Sequence, residues 1–132
     1  MKNKLIRTYC NVNIFLTMAI LLCVVMSKNS YATDAIVCEG TVATIGVHGT
    51  DRVILRLSSM NTVVNICNLN STLGTTYPIS AEQCKAAYST LLTAYSLGKT
   101  MSIYFDNVQT GTSCSNFAAW EVATARWVAL TN

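Results

Sequence analysis

The sequence predicts a small all-β domain with one helix, in the order β-β-β-α-β-β, held together by two disulfide bonds. Two observations support the order. Short apolar stretches alternate with polar residues on both sides of a central segment, whereas the central segment repeats its apolar residues at helical spacing. The third observation is an even number of cysteines in residues 33–132, the part of the chain that follows an export-signal pattern.

The first half of this domain is predicted to be three strands that form an antiparallel meander. Ile36–Val47 is rich in β-branched side chains, which favour strands. Arg52–Ser58 alternates, with apolar side chains on one face and both arginines on the other, which is typical of a half-buried strand. A short connection then leads into Thr62–Asn68, the third predicted strand.

A helix is predicted to begin after Ser80, at the end of a polar loop. Ser80 and Gln83 fit the capping-box pattern, in which two side chains bind free backbone N–H groups at a helix start. The apolar side of the helix is formed by residues spaced three or four apart: Cys84, Tyr88, Leu91 and Tyr95. Gly98 stands where the helix needs a left-handed residue in order to end.

Two further strands are predicted after the helix. In Lys99–Asp106 the alternation predicts inward-facing Met101, Ile103 and Phe105 and outward-facing Ser102, Tyr104 and Asp106. The last segment, Phe117–Leu130, fits either a helix or a strand; we favour a strand over Val122–Leu130 because it completes the sheet. Five strands with a helix between the third and the fourth is the arrangement of the OB-fold, a small and partly open five-stranded barrel.

Residues 1–32 have the composition of an export signal. A basic start with Lys2, Lys4 and Arg7 precedes the apolar run Ile14–Met26, and Ser30-Tyr31-Ala32 supplies small residues where signal peptidase cleaves. An uncleaved membrane anchor is less favoured, because this run is shorter than the roughly 20 residues that a spanning helix needs. We therefore expect a secreted or periplasmic protein with one OB-fold-like domain, residues 33–132, and no stable membrane insertion after cleavage.

Cleavage also changes the charge of the chain. The whole sequence carries 9 basic and 6 acidic residues, but four of the basic residues belong to residues 1–32. Residues 33–132 therefore keep five basic and six acidic residues, a net charge of −1. Because nucleic-acid binding needs a clear excess of positive charge, we expect no nucleic-acid partner.

Cys38, Cys67, Cys84 and Cys114 are expected to form two disulfide bonds, which support a domain too small for a large core. A zinc site is the alternative, but there is no C-x-x-C pair and His48 is the sole histidine, so we expect no metal and no other cofactor. The sequence leaves all three pairings open. We favour Cys67–Cys84, which joins a strand to the helix start, and Cys38–Cys114, which joins an early strand to a late loop.

Short segments spread along the chain form a recognisable pattern: VCEG, GVHGTDRV, MNT, NIC, EQCKAAYSTLLTA, GKTMSIYFD and SC…W. Together they resemble a family of small exported four-cysteine proteins of Gram-negative bacteria, over nearly all of residues 36–130. More remotely, the export signal, mature length, element order and cysteine framework resemble the pentameric B subunits of AB-type bacterial toxins. That resemblance implies an OB-fold that binds cell-surface glycans. It assigns no binding residue here, because no glycan-contacting motif aligns.

The sequence does not predict an enzyme. His48 is a lone histidine in a predicted turn, and neither a G-x-S-x-G elbow nor an S-x-x-K motif occurs. The cysteines are assigned to disulfide bonds, which leaves no thiol nucleophile. Asp106 and Glu121, on adjacent predicted strands, are a conceivable carboxylate pair, but solvated surface side chains are the favoured interpretation.

The candidate ligand-binding residues are two aromatic residues and a polar cluster on one hairpin. Tyr104 and Trp120 are candidates because sugar sites commonly stack an aromatic ring on a sugar face while polar groups fix its orientation. Core packing is the favoured alternative for Trp120, since tryptophan is usually well buried. His48, Asp51 and Arg52 form the polar cluster, for which an ordinary solvated turn is the favoured alternative.

Two functions from different classes remain. The first is a glycan- or receptor-binding module, similar to a toxin B subunit and assembled as a homo-oligomer, with a cell-surface glycan as its partner. The second is a structural or protein-interaction protein of the cell envelope, which binds an envelope protein and no small ligand. A catalytic partner subunit encoded beside this protein would favour the first.

Overall fold

A computed structural model describes residues 33–131, in which five strands and one helix follow the predicted order. The strands are β1 (Thr33–His48), β2 (Arg52–Leu57), β3 (Val64–Asn68), β4 (Thr100–Gln109) and β5 (Thr124–Leu130), and the helix is α1 (Ala81–Leu97). The strand favoured for the last segment is therefore confirmed. The export signal predicted for residues 1–32 lies outside the described residues, as does Asn132.

The five strands form one antiparallel sheet with the order β3-β2-β1-β4-β5, which confirms the meander of the first three. β1 is long enough to pair with two strands: its first part, up to Thr41, pairs with β4, and its second part, from Val42, pairs with β2. Gly40 lies next to this change of partner. A Cβ atom there would come within 2.6 Å of the Ser58 hydroxyl oxygen and 3.2 Å of the Ser59 backbone nitrogen, so a side chain at Gly40 would crowd the residues that follow β2.

The two edge strands approach each other just before β5. The Asn65 N–H of β3 donates to the Glu121 carbonyl at 2.8 Å, and the Ala123 N–H donates back to the Asn65 carbonyl at 3.0 Å. This is an isolated parallel bridge, not a continuous ladder, between the described residues of the two edges. The predicted element order is thus confirmed, while the described pairings stop short of a closed barrel.

The core joins one face of the sheet to α1. Its largest fully buried side chains include Leu55, Leu57, Ile66, Leu91, Met101, Ile103 and Phe105, which confirms the three inward positions predicted on β4. Phe105 also packs edge-to-face against Phe117, with ring centroids 5.7 Å apart. Aromatic pairs in this geometry stabilise a core somewhat beyond their buried area.

Both favoured disulfide bonds are confirmed. Cys38–Cys114 joins β1 to the connection between β4 and β5, and Cys67–Cys84 joins β3 to the first turn of α1. The Cα atoms of the two pairs are 5.6 and 5.5 Å apart, within the usual range for a disulfide. Disulfides persist in oxidising compartments, so this pair of bonds indicates an extracellular or equivalent environment.

The predicted ends of α1 are also confirmed. The Gln83 N–H donates to the Ser80 hydroxyl at 3.3 Å, while the Ser80 N–H donates to the Gln83 side-chain carbonyl at 2.9 Å, which completes the capping box. Gly98 adopts φ 62°, and the N–H groups of Gly98 and Lys99 donate to the carbonyls of Tyr95 and Ala94, the Schellman arrangement. Within the described residues, no helix has the length and apolar character to cross a membrane.

The outward positions predicted on β4 are wrong for Asp106 and Ser102, which are 2% and 5% exposed. Asp106 is close to Arg126, which also contacts the Tyr104 ring, so it is buried on the side of Tyr104. A bulge follows Phe105: Phe105 pairs with Ile36 but Val108 pairs with Asp34, so β4 has one residue more than β1 in this interval. The bulge breaks the two-residue period, and the core positions become Phe105 and Val108.

Asn107 completes the bulge with a φ of 59°, a left-handed conformation that asparagine tolerates better than most residues. Ser102 lies outside the bulge. It is a small side chain in a strand paired on both sides, opposite Glu39 of β1 and Ala129 of β5.

Candidate functional site

An exposed tryptophan before β5 packs against the histidine that ends β1. The ring centroids of Trp120 and His48 are 4.7 Å apart, with 47° between the ring planes. Trp120 is 53% exposed, so the favoured core-packing interpretation is wrong. The structure thus brings together two candidate residues that are far apart in the sequence.

The backbone of Trp120 has a φ of 64°, a conformation that costs a non-glycine residue on the order of 1–3 kcal/mol. The surrounding hydrogen bonds hold it in place. The Trp120 N–H donates to the Val63 carbonyl at 3.1 Å, and the Glu121 carboxylate accepts from the backbone N–H groups of Gln109 and Ala118, both at 3.0 Å. Glu121 therefore fixes this segment instead of pairing with Asp106 as a second carboxylate.

The polar candidates on the β1–β2 hairpin line an open cavity of about 280 Å³. His48 lines this cavity and also contacts the Trp120 ring. The Asp51 carboxylate accepts hydrogen bonds from the hydroxyls of Thr50 at 3.5 Å and Ser71 at 3.3 Å. Arg52 is exposed, and the ion pairs within residues 33–131 do not involve it. We call His48, Asp51, Arg52 and Trp120 the hairpin site; His48 connects its parts, because it contacts the Trp120 ring and lines the same cavity as Asp51 and Arg52.

Tyr104, the remaining candidate, belongs to a second cluster. Its ring centroid lies 6.0 Å from that of Trp127 and 5.7 Å from the guanidinium carbon of Arg126, both on β5. Beside this cluster runs a groove of about 460 Å³ between α1 and β5. We call it the α1–β5 groove; residues 77–79, the first turns of α1 and residues 125–128 line it.

Arg126 is the additional residue of a bulge in β5, because Tyr104 pairs with Trp127 whereas Phe105 pairs with Ala125. Its guanidinium carbon lies 3.8 Å from the centroid of the Tyr77 ring, a close cation–π contact. Its Nε lies 3.7 Å from Asp106 Oδ2, an ion pair too long for a hydrogen bond. Sequence reasoning missed Arg126, because a bulge leaves no mark in a hydrophobic period, and it missed Tyr77, which lies in a loop without such a period.

The loop that carries Tyr77 is attached to the end of β4 through the Asn107 side chain. The Asn107 amide donates to the Thr124 hydroxyl at 2.6 Å and accepts from the Thr75 hydroxyl and the Thr76 N–H, each at 3.4 Å. Gly74, with a φ of 96°, packs against the same amide. The loop conformation that places Tyr77 beside Arg126 therefore depends on the tightly packed contact between this loop and Asn107 of β4.

Asp106 is a buried carboxylate whose loss of solvation is only partly offset by the charge of Arg126. Burial raises the pKa of Asp106 above its ordinary value, and the positive charge of Arg126 opposes that shift only in part. Asp106 Oδ2 has no hydrogen-bond partner among the described residues. The folded protein therefore favours the neutral form of this carboxyl group more than the unfolded chain does.

We expect Asp106→Asn to flatten the dependence of stability on pH. A carboxyl group whose pKa is raised on folding stabilises the fold below its ordinary value of 3.8, and this contribution is lost as the pH rises through the folded pKa. Asparagine has a similar shape and does not titrate. Denaturant unfolding across this pH window should therefore show a larger loss in the wild type than in the variant; equal losses would contradict the prediction.

The described residues contain no group of three or more His, Cys, Asp or Glu side chains placed to hold a metal ion. The fold and its two clusters define a small disulfide-bonded β domain with one exposed aromatic–polar site and one groove. Comparison with known proteins finds no matching family model, no matching curated protein and no matching solved structure. Function therefore rests on the geometry of these clusters, because function lives in sites and not in folds.

Proposed function

We propose that this protein is an exported glycan-binding module and that the hairpin site is where the sugar binds. The observation that carries the proposal is the exposed Trp120 ring, held on a strained backbone against His48 and beside charged hairpin residues. Strained, well-supported residues cluster at binding sites, and an aromatic face with adjacent polar groups suits a sugar ring.

Each residue of the hairpin site has a distinct role in this proposal. The Trp120 indole stacks on the apolar face of a sugar. The His48 ring, at the end of β1, packs against the indole and supports it. Each Asp51 carboxylate oxygen keeps a lone pair after its internal hydrogen bond, so Asp51 accepts from a sugar hydroxyl. Arg52 donates to sugar oxygens, and its exposed position lets it adapt to different linkages.

The proposal includes export and assembly. The two disulfide bonds support an extracellular or periplasmic location, and the pattern of residues 1–32 supplies the signal that would direct the chain there. We further propose a homo-oligomer, because repeated weak sugar sites gain affinity together. The resemblance to pentameric toxin B subunits leads us to expect a mass near five protomers in light scattering. A strict monomer would contradict the proposed assembly. The sugar site is tested separately, by the substitution of Trp120.

We expect Trp120→Gly to abolish most glycan binding while the domain stays folded. Glycine adopts a φ of 64° without strain, so relief of the backbone offsets the packing that the indole provided. Loss of a stacking ring costs about 1.5 kcal/mol or more of binding, roughly a tenfold weaker affinity. A glycan array identifies the sugar, and titration calorimetry with that sugar measures the change.

Tyr95→Ala is the matched control, because Tyr95 is also 53% exposed but lies on α1. Its glycan affinity should equal that of the wild type. Equal losses in the two variants, or full binding by Trp120→Gly, would refute the hairpin site. A protein silent on the array that instead retains an envelope protein would support the alternative function, a protein-interaction scaffold.

A further inference from the structure

We propose that the α1–β5 groove binds a small molecule with a carboxylate on a flat apolar body, and that Arg126 recognises the carboxylate. This inference goes beyond the proposed sugar site, from which it differs in residues and in ligand chemistry. It rests on the shape of the groove, on the polar groups that line it and on the way Arg126 is held.

The shape of the groove suits a small ring. Its volume of about 460 Å³ falls within the range of small-molecule sites, roughly 300–1,000 Å³. Small side chains form its sides, Ala86 and Ala87 on α1 and Ala125 on β5, so a flat body fits between the helix and the strand. Tyr77 and Trp127 add aromatic walls that remain 46% and 43% exposed.

The polar groups that line the groove favour a ligand that accepts hydrogen bonds. Arg126 is the charged residue among those that line it. The Gln83 side-chain carbonyl already accepts from the Ser80 N–H, which leaves the Gln83 NH₂ for a ligand, and the Trp127 indole can only donate. A cation together with neutral donors is complementary to an anion with several acceptor lone pairs.

Arg126 is held ready for such an anion. Arg126 is the additional residue of the bulge in β5, and its guanidinium carbon lies 3.8 Å from the centroid of the Tyr77 ring. Asp106 approaches the Nε side at 3.7 Å without a hydrogen bond, so the guanidinium is incompletely paired. The two terminal nitrogens then remain for a second carboxylate, in the bidentate geometry that arginine prefers.

Benzoate and benzamide test the proposal on the purified exported protein without any substitution. Both probes carry the same flat ring, but only benzoate carries the negative charge. In a two-dimensional amide NMR titration we expect benzoate to shift the signals of Gln83, Ala125 and Val128 saturably, with benzamide about tenfold weaker or more. Equal affinity for the two probes, or shifts that lie elsewhere, would overturn the proposal.

Two variants of Arg126 separate recognition from folding. Arg126→Gln should weaken benzoate binding about tenfold, and Arg126→Lys, which keeps the charge but loses the planar fork, should weaken it less. Arg56→Gln, on β2 and outside the groove, is the control and should bind benzoate like the wild type. The same amide spectra show whether each variant is folded; a folded Arg126→Gln with unchanged affinity would refute the role of Arg126.

Two further outcomes are informative. If groove signals shift with protein concentration and benzoate does not bind, a second copy of the chain fills the groove and the proposal is wrong. Trp120→Gly should keep its benzoate affinity, and Arg126→Gln should keep its glycan affinity. A failure of the sugar site and a failure of the carboxylate site are therefore distinguishable.

Discussion

Replacement of Cys38 and Cys114 by alanine together is expected to lower the free energy of unfolding by about 4.5 kcal/mol in the chain-entropy model. This disulfide spans 76 residues, so its removal restores much conformational freedom to the unfolded chain. Because single domains are stable by only about 5–15 kcal/mol, the variant would be marginally folded. Urea unfolding of the oxidised wild type and the double variant measures the loss.

The second disulfide provides the matched control. Cys67 and Cys84 are separated by 17 residues, for which the same model gives about 3 kcal/mol. A larger loss for the Cys67–Cys84 variant would show that buried packing around these two sulfur atoms outweighs chain entropy. The two variants should also differ in function: Cys114 lies on the same connection as Trp120, so only the Cys38–Cys114 variant should lose glycan affinity.

Gly74→Ala is expected to cost about 2–3 kcal/mol of stability, the largest effect expected here for a single substitution. Gly74 has a φ of 96°, which strains any residue with a Cβ atom. Moreover, that Cβ atom would come within 2.9 Å of Asn107 Nδ2, 3.0 Å of Thr124 Cγ2 and 3.1 Å of the Tyr77 carbonyl oxygen. The substitution therefore strains the backbone and also displaces the amide that attaches this loop to β4.

Gly111→Ala separates the two causes. Gly111 also has a positive φ, 84°, but a Cβ atom there would meet no atom within 4 Å. It should cost only the conformational part, about 1 kcal/mol. Denaturant unfolding of both variants gives the difference in their loss of stability, which measures the crowding around Asn107. Equal losses would mean that the loop rearranges at no cost to accommodate the Cβ atom. Gly74→Ala should in addition weaken benzoate binding, because Tyr77 follows on the same loop.

The parts of the fold that the sequence predicts correctly depend on local signals. The helix from Ala81 to Leu97 combines helical spacing with a capping residue at one end and Gly98 at the other, and each signal lies within a few residues of what it determines. The disulfide pairing is favoured by element order, although the sequence leaves all three pairings open, and the structure confirms it.

The parts that the sequence does not predict depend on bulges and on contacts between distant residues. A residue added to β4 at Asp106–Asn107, and another added to β5 at Arg126, shift the side chains without changing the composition of either strand. The contact of His48 with Trp120 needs the hairpin and the β4–β5 connection to meet, which no local pattern encodes. The sequence therefore indicates residues of the hairpin site but not their arrangement, and it misses the groove.

The chain's two tryptophans lie one in each cluster, Trp120 on His48 and Trp127 beside Tyr104. Both indoles are partly exposed, so their fluorescence responds to what covers them. With Trp127 changed to phenylalanine, the remaining emission reports the sugar; with Trp120 changed instead, it reports the carboxylate. The protein thus carries an intrinsic optical label for each of its two proposed ligands, and occupancy of one can be followed while the other is varied.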